Sequence, residues 1–234
     1  MTDPTTPTVA AFDLDGTLTE GGSVFLWLRH VAGTARTYRA AASLLVALAM
    51  GALRSGPTAD NAKERLFRKL LAGRDLDTLQ GESREFVLEH VAIKARELSV
   101  RRLNWHRDQG HDVVVVSASP ELYVNVVAEF FGAQGALGTR LAVDPLGNLT
   151  GGYLGKNCRG TEKMRRLSEW INAREYGVEP TVYAYGNSRG DRRMLKGATH
   201  PYNVGKLGRL GALRRYPRLK SAEPVTDELS DSVQ

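Results

Sequence analysis

The sequence predicts an α/β protein: a doubly wound, mostly parallel sheet with an inserted all-helical cap domain. Two observations carry this prediction. Four short apolar segments rich in β-branched residues have the composition of strands buried on both faces, as in a parallel sheet, and helix-period segments separate most of them. Residues 23–102 break the alternation, because their pattern is helical throughout. The four predicted strands are Val9–Leu14, Val113–Val116, Thr181–Tyr185 and His200–Val204.

The segments between the later strands predict two helices and a hairpin. The first helix is expected over Pro120–Gln134, because proline is favoured in the first turn. Its predicted apolar face consists of Leu122, Val126 and Phe130. The second helix is expected over Thr161–Ala173, where a threonine stands at a plausible cap position. Between residues 137 and 154, the turn Asp144–Asn148 indicates a hairpin of two short extended pieces.

These elements predict how the chain is divided. Residues 9–22 and 103–220 form the expected core, and residues 23–102 form the expected helical cap. A flexible N-terminus is expected over 1–8 and a disordered acidic tail over 221–234. The cap follows the carboxyl end of the first strand, and doubly wound sheets bind their ligands at that end of the strands. We therefore expect the cap to cover the ligand site.

Composition and charge narrow the functional class. The 234 residues are 42% apolar and 25% charged, which is typical of a soluble globular protein. Cys158 is the only cysteine, so an internal disulfide is excluded and a reducing compartment is favoured. The N-terminal segment lacks a signal-peptide pattern, and we expect a cytoplasmic protein. Ten Lys/Arg residues lie between Arg189 and Lys220, but no recognition motif or aromatic array accompanies them, so nucleic-acid binding is not expected.

The most informative segment is the turn after the first predicted strand. Asp13 and Asp15 stand two residues apart there, followed by Gly16 and Thr17. Side chains at i and i+2 of an extended segment point the same way, so the two carboxylates should converge. Two close like charges are unfavourable unless a cation neutralises them or one carboxyl holds a proton. The pair therefore indicates a metal site or a nucleophile with an acid/base partner. Taken alone, it also permits an ordinary acidic turn.

Three further polar segments decide between these alternatives. Ser117 ends the second strand, Lys163 lies near the start of a helix, and Gly186-Asn187-Ser188-Arg189-Gly190-Asp191 follows the third. Each alone has a structural alternative, such as a serine cap, a surface lysine or an acid in a first helical turn. In this order, and with the DxDGT segment, they resemble the haloacid dehalogenase superfamily of phosphohydrolases. The resemblance covers roughly Val9 to Val204.

The resemblance implies a role for each motif residue. Asp13 would attack the phosphorus and form an aspartyl-phosphate. Asp15 would protonate the leaving oxygen and then act as base on the attacking water. Thr17, Ser117 and Lys163 would bind the phosphoryl group. Members with dehalogenase or transport ATPase chemistry lack an aspartate at the position of Asp15. Its presence therefore points to a phosphatase, a hydrolase of phosphoric monoesters, with a phosphomutase as the minority alternative.

The resemblance also implies Mg²⁺ as the cofactor. Its implied ligands are Asp13, the backbone carbonyl of Asp15, and Asn187 and Asp191 of the fourth motif. The family carries a metal-binding aspartate where this chain has Asn187. An uncharged amide oxygen attracts the ion less, so we expect weaker Mg²⁺ affinity, with Asp191 compensating directly or through water. A weakly active or non-catalytic regulatory relative is the alternative that this departure leaves open.

The helical insertion after the first motif resembles subfamily IB, the phosphoserine-phosphatase-like branch. The segment Asn157–Lys163 resembles one that recurs in the less characterised part of that branch. Phosphoserine itself is not expected, because those enzymes typically show Ser-Gly-Gly where this chain has Ser117-Ala118-Ser119. The expected substrate is a small phosphorylated metabolite.

A lipid phosphate similar to phosphatidylglycerophosphate is the alternative substrate. Arg36, Arg39 and Arg54 flank the apolar run Ala40–Leu53, and leucines alternate with cations in Lys206–Arg215. Apolar surface rimmed by Lys/Arg is typical of helices that lie on anionic lipid, which would place the protein peripherally at the inner face of a membrane. The competing interpretation is that Ala40–Leu53 forms the core of the cap. Nothing in the sequence indicates an oligomeric state.

Overall fold

The computed structural model describes residues 6–45, 57–206 and 211–223. Seven strands lie within these residues. Five form one parallel sheet, and the other two pair as an antiparallel hairpin. In chain order the strands are β1 (Thr8–Phe12), β2 (Asp112–Pro120), β3 (Gly135–Thr139), β4 (Leu141–Val143), β5 (Leu149–Tyr153), β6 (Thr181–Gly186) and β7 (His200–Asn203).

The main sheet has the order β3-β2-β1-β6-β7, which puts β1 at its centre. Phe12 of β1 lies opposite Val115 of β2 on one side and Tyr185 of β6 on the other. Because these strands are parallel, the polar segments that follow β1, β2 and β6 meet at one edge of the sheet. The predicted fold class and its four strands are confirmed.

The fifth strand of the sheet, β3, was not predicted as part of it. Its glycines weaken the strand signal, yet the packing requires them. A Cβ on Gly138 would lie 2.3 Å from the Cα of Glu121, and one on Gly135 would lie 2.4 Å from Nε1 of Trp170. The hairpin is as predicted, with β4 and β5 joined by the turn Asp144–Asn148.

Eight α-helices lie within the described residues, together with a 3₁₀ turn at Arg189–Asp191. Most of them connect successive strands of the sheet, and the first five lie between β1 and β2. The helices are α1 (Val24–Ala32), α2 (Thr34–Ala42), α3 (Pro57–Leu71), α4 (Leu76–Lys94), α5 (Glu97–Asp108), α6 (Glu121–Phe131), α7 (Thr161–Asn172) and α8 (Arg192–Lys196).

Helices cover both faces of the sheet, as a doubly wound fold requires. Phe12 belongs to one apolar cluster, which includes Leu103 of α5. Ala11 belongs to a second cluster, which includes Leu167 of α7 and Leu195 of α8. Adjacent residues of β1 therefore pack against helices on opposite faces of the sheet, because successive side chains of a strand point to opposite faces.

The apolar face predicted for α6 is wrong at one position. Phe130 is 46% exposed, whereas Val124, Val127 and Phe131 are buried. The helix is packed between the sheet and the inserted helices. Its buried face is therefore wider than the stripe predicted from the helical period, and it is rotated away from Phe130.

The inserted helices pack on the sheet through one continuous apolar cluster. Trp27 of α1, Phe67 of α3 and Val87 of α4 belong to the same cluster as Phe12. Trp27 also donates a hydrogen bond from Nε1 to Oγ of Ser83 on α4, at 2.9 Å. The division of the chain into core and cap stays a prediction, and the predicted boundary between 102 and 103 falls within α5.

Several predicted features lie wholly or partly outside the described residues. They are the N-terminus 1–8, the apolar run Ala40–Leu53, the basic segment Lys206–Arg215 and the tail 221–234. Among the helices of residues 6–45, 57–206 and 211–223, none has both the length and the apolar character that crossing a membrane requires.

Candidate active site

Asp13 follows the central strand and is buried at the edge where the polar segments meet. Its Oδ1 accepts a hydrogen bond from Nζ of Lys163 at 2.6 Å, and its Oδ2 accepts one from Oγ1 of Thr17 at 3.0 Å. The turn between Asp13 and Thr17 depends on Gly16, whose φ of 84° favours glycine. Thr17 is fully buried, and its hydroxyl proton is used by Asp13. Thr17 therefore orients the Asp13 carboxylate, and its predicted contact with a phosphate stays a prediction.

Lys163 joins two motifs that are far apart in the sequence. Its Nζ lies 2.6 Å from Oδ1 of Asp13 and 2.6 Å from Oδ1 of Asp191. All three side chains are almost completely buried. Burial disfavours the charged form of Lys163, but Asp13 and Asp191 more than offset this and hold its pKa above the ordinary value. The site therefore contains a fixed cation beside Asp13.

Both carboxylate oxygens of Asp191 have protein partners. Its Oδ2 accepts hydrogen bonds from the backbone N–H groups of Asn187 and Ser188 and from the hydroxyl of Ser188, while its Oδ1 faces Lys163. Burial raises its pKa, but Lys163 and Ser188 more than offset this and keep it below the ordinary value. These contacts hold Lys163 and the fourth motif together, and the role of Asp191 toward a metal, direct or through water, stays a prediction.

Asp13 and Asp191 compete for the one lysine. Burial raises the pKa of Asp13 to about 7, the Asp191 carboxylate acts in the same direction, and Lys163 opposes both. Asp191 therefore keeps its charge more readily than Asp13. A second cation beside Asp13 would favour its carboxylate form, which is the form that can attack phosphorus.

Asp15 faces a different set of partners. Its Oδ1 accepts a hydrogen bond from the backbone N–H of Ser23 at 2.7 Å, and its Oδ2 accepts one from Oγ of Ser119 at 2.6 Å. Ser117 is buried nearby, and its Oγ accepts a hydrogen bond from the backbone N–H of Ser119 at 3.1 Å. The Ser117 hydroxyl proton has no acceptor among the described residues, so it is free to bind a phosphoryl oxygen.

Asn187 and Asp13 have the chemistry of a Mg²⁺ site. The Asn187 Oδ1 atom is buried and has no hydrogen-bond partner within the described residues. The amide lies tightly against Gly16, since a Cβ on that glycine would come within 1.9 Å of Nδ2. Carboxylate, amide and carbonyl oxygens are the ligands that Mg²⁺ prefers, and the ion keeps several waters. The described residues contain no group of three or more His, Cys, Asp or Glu side chains that could hold a metal, so Asn187 and backbone oxygens would have to complete the set.

Two residues that the motifs did not single out bring the helical insertion to the site. Lys63 of α3 donates hydrogen bonds from Nζ to the carbonyl of Ala118 at 2.7 Å and to Oδ1 of Asn157 at 2.8 Å. Asn157 in turn donates from Nδ2 to Oδ1 of Asp60 at 2.6 Å. Burial lowers the pKa of Lys63 to about 8, although Asp60 and Asp15 favour its charge. The resemblance of the segment Asn157–Lys163 was the one sequence signal near this contact.

Two cavities border the site. One of about 540 Å³ is lined by Asp15, Arg96 and Asn187, among others. The other, of about 710 Å³, lies between α3 and the start of α7, and its lining includes Asp60 and Arg159. The first cavity gives a small phosphorylated molecule room beside Asp15, whereas the second lies between α3 and the fourth motif.

Fold and site together define a phosphoryl-transfer type of hydrolase, with two carboxylates, a buried lysine and a serine at the carboxyl ends of parallel strands. Residues 10–196 match the family model described as haloacid dehalogenase-like hydrolase, and the chain belongs to that family. The family resemblance and the hydrolase class predicted from the four motifs are confirmed.

Individual proteins with a similar sequence or a similar fold are also known. The chain is 32% identical to Protein CicA of Caulobacter vibrioides over 189 residues, which are 81% of this chain and 82% of that protein. It is 26% identical to Histidinol-phosphatase of Neisseria meningitidis over 123 residues, which are 52% of this chain and 55% of that one. The fold is similar to that of a substrate-bound phosphoserine phosphatase, with a TM-score of 0.64 and 16% identity over 97% of this chain and 99% of that one.

Proposed function

We propose that this protein is a Mg²⁺-dependent phosphomonoesterase that acts on a small phosphorylated metabolite through an aspartyl-phosphate on Asp13. One observation carries the proposal: the Asp13 carboxylate lies at the sheet edge, held by Thr17 and paired with the buried Lys163. A carboxylate fixed in this way is oriented for attack, and the ammonium beside it offsets the negative charge of an incoming phosphate.

The residues support a two-step reaction. A carboxylate oxygen of Asp13 forms a bond to phosphorus while the bond to the leaving oxygen breaks, and Asp15 gives that oxygen a proton. Water then attacks the phosphorus and gives a proton to Asp15, and the bond to Asp13 breaks to release inorganic phosphate. Lys163 and the Ser117 hydroxyl would hold the phosphoryl oxygens.

The oxygens of Asp13 and Asn187 and the carbonyl of Asp15 would hold Mg²⁺. When bound, the ion supplies positive charge that reduces the repulsion between the Asp13 carboxylate and the phosphate. The buried Oδ1 of Asn187, which has no hydrogen-bond partner within the described residues, supports this assignment.

The names of two similar proteins support a small phosphomonoester as the substrate class. Phosphoserine and histidinol phosphate, the substrates in those names, are both small phosphomonoesters. Lys63 of α3 contacts the carbonyl of Ala118, and Asp60 of the same helix contacts Asn157. The inserted helices are therefore close enough to supply substrate contacts beyond the phosphate, and we propose a small phosphorylated metabolite as the substrate.

The test is hydrolysis of p-nitrophenyl phosphate with and without Mg²⁺. The expected result is Mg²⁺-dependent turnover that Asp13→Asn abolishes and that the exposed-site control Asp77→Asn leaves unchanged. Equal rates for the wild type and Asp13→Asn would contradict the proposal and favour the non-catalytic regulatory alternative. A screen of phosphorylated metabolites then identifies the substrate.

The lipid-phosphate alternative is tested separately, because its sequence support lies largely outside the described residues. Co-sedimentation with anionic phosphatidylglycerol vesicles, followed by a phosphate-release assay on a lipid phosphate, addresses it directly. Absence of both binding and release would remove this alternative and leave the small-metabolite proposal intact.

A further inference from the structure

Both oxygens of the Asp15 carboxyl group have a protein partner. Ser119 donates from Oγ to Oδ2 of Asp15 at 2.6 Å, and the Ser23 N–H donates to Oδ1 at 2.7 Å. The Ser23 hydroxyl lies 2.8 Å from the hydroxyl of Tyr123. These contacts join the first motif to the start of the helical insertion, to β2 and to α6.

The direction of the Ser119 contact follows from its chemistry. Oδ2 of an ionised Asp15 can only accept, so the Ser119 hydroxyl donates to it. Hydrogen bonds from a hydroxyl to a carboxylate oxygen are short and strong, which agrees with the 2.6 Å between these atoms.

The side chains around Asp15 are shielded from solvent. Ser23, Ser119 and Tyr123 are each at most 2% exposed. The aromatic ring of Tyr123 lies 5.4 Å from that of Trp27 and 6.3 Å from that of Phe86, which belong to α1 and α4. Tyr123 therefore has a fixed position, and its hydroxyl contacts that of Ser23, whose N–H holds Oδ1 of Asp15.

We propose that Ser119 is a positioning residue that fixes the rotation of the Asp15 carboxyl group for proton transfer to the leaving oxygen, an inference that rests on the proposed function. With Ser23 on one oxygen and Ser119 on the other, the carboxyl plane cannot turn about its Cβ–Cγ bond. Proton transfer requires this alignment, because a general acid must lie within hydrogen-bond reach of the leaving atom. Without the Ser119 hydroxyl, only the Ser23 N–H orients the group.

Two substrates with different leaving groups test whether Ser119 acts on proton transfer. p-Nitrophenolate departs with little need of a proton, whereas phenolate departs from phenyl phosphate only when it receives one. The two esters have the same ring, so they share most binding contacts. The ratio kcat/KM reports steps up to the formation of the aspartyl-phosphate, in which the leaving group departs. A residue that positions the acid therefore affects the two esters unequally.

The experiment compares Ser119→Ala with wild type on both esters. The expected kcat/KM on phenyl phosphate falls about tenfold or more, while that on p-nitrophenyl phosphate falls less than about threefold. Ser119→Thr keeps the hydroxyl and should restore the wild-type ratio. Ser99→Ala is the matched control, because Ser99 is equally buried and its Oγ has no partner among the described residues.

Two outcomes for Ser119→Ala would overturn the proposal: an equal loss on both esters, or no loss on either. The backbone N–H of Ser119 that contacts Ser117 is unchanged by the substitution, so the loop keeps that hydrogen bond. Should Ser119→Ala lack a cooperative thermal unfolding transition, Ser119→Cys decides instead, because the thiol fills the same place but is a weak donor: an unequal loss on the two esters supports the proposal, and an equal loss or none overturns it. Failure of the proposed function itself is distinct, since wild type and Asp13→Asn would then be equally inactive on both esters.

Discussion

Lys163 and Asp191 form a buried ion pair, with Nζ and Oδ1 2.6 Å apart. The same nitrogen lies 2.6 Å from Oδ1 of Asp13, so a residue after β6 reaches the nucleophile after β1 through a lysine of α7. Two separate tasks within the fourth motif agree with the proposed function: Asn187 as a Mg²⁺ ligand, and Asp191 as the partner that holds Lys163.

Replacing Asp191 with asparagine separates these two tasks. We expect kcat to fall more than about tenfold, because Lys163 loses the partner that fixes it, and the free energy of unfolding to fall by about 3 kcal/mol, because a buried ion pair is broken. The Mg²⁺ concentration for half-maximal activity should not change. Urea unfolding and a Mg²⁺ titration of activity measure both effects. A higher Mg²⁺ requirement with unchanged stability would instead identify Asp191 as a metal ligand.

The second prediction concerns Asn187→Asp. The new carboxylate adds a charge at the buried oxygen that has no partner among the described residues, so we expect the half-saturating Mg²⁺ concentration to fall roughly tenfold. Activity measured across a Mg²⁺ titration gives this value. Asn172→Asp, which adds the same charge at an exposed position of α7, should leave it unchanged. An unaltered Mg²⁺ dependence in Asn187→Asp would show that the metal binds elsewhere.

A pair of glycines offers a matched test of the first motif. Gly16 and Gly21 have φ angles of 84° and 75°, so alanine at either costs about 1–2 kcal/mol of backbone strain. Only at Gly16 would the added Cβ collide with Asn187, at 1.9 Å from Nδ2, whereas nothing lies within 4 Å at Gly21. We expect both variants to lose similar stability in urea and only Gly16→Ala to lose Mg²⁺-dependent activity. Equal activities would mean that the position of Asn187 is unimportant.

The fourth prediction is a loss of stability in mild acid. His106 is buried, with Nδ1 2.8 Å from Nδ1 of His111 and Nε2 2.8 Å from the Tyr185 hydroxyl. Burial lowers the pKa of His106 well below the ordinary 6.5, and the neighbouring His111 lowers it further. Below pH 6.5 the unfolded chain therefore binds a proton that the folded chain does not, and the free energy of unfolding falls as the pH falls.

Protonation of one histidine in the unfolded chain lowers the free energy of unfolding by about 2 kcal/mol between pH 6.5 and pH 5, and this effect vanishes above pH 7. Urea unfolding at several pH values measures the slope. His106→Gln should be less stable at neutral pH but show a shallower slope in acid, while the exposed His30→Gln should keep the wild-type slope. Identical slopes in all three proteins would mean that His106 binds its proton in the folded state.

Much of this molecule could be predicted from local features of the chain. The continuous β-branched run at 113–116 needs burial on both faces, so a central parallel strand was a sound prediction. Asp13, Ser117 and Asn187 each follow such a run, and the parallel arrangement brings strand ends together. The pattern of strands and helices therefore predicted the fold class, and the order of the motifs predicted the family. That the motif residues form the active site stays a prediction.

The partners of these residues were decided only by the tertiary structure. Asp191 contacts Lys163, Ser119 contacts Asp15, and Lys63 contacts Ala118, in each case between segments far apart in the chain. Spacing along a chain determines which residues end a strand or share a helix face. It does not determine which atoms meet when those elements pack, and β3 shows the same limit, since its glycines fit only because Glu121 and Trp170 lie against them. The chemistry of the site was thus encoded locally, whereas its geometry arose from packing.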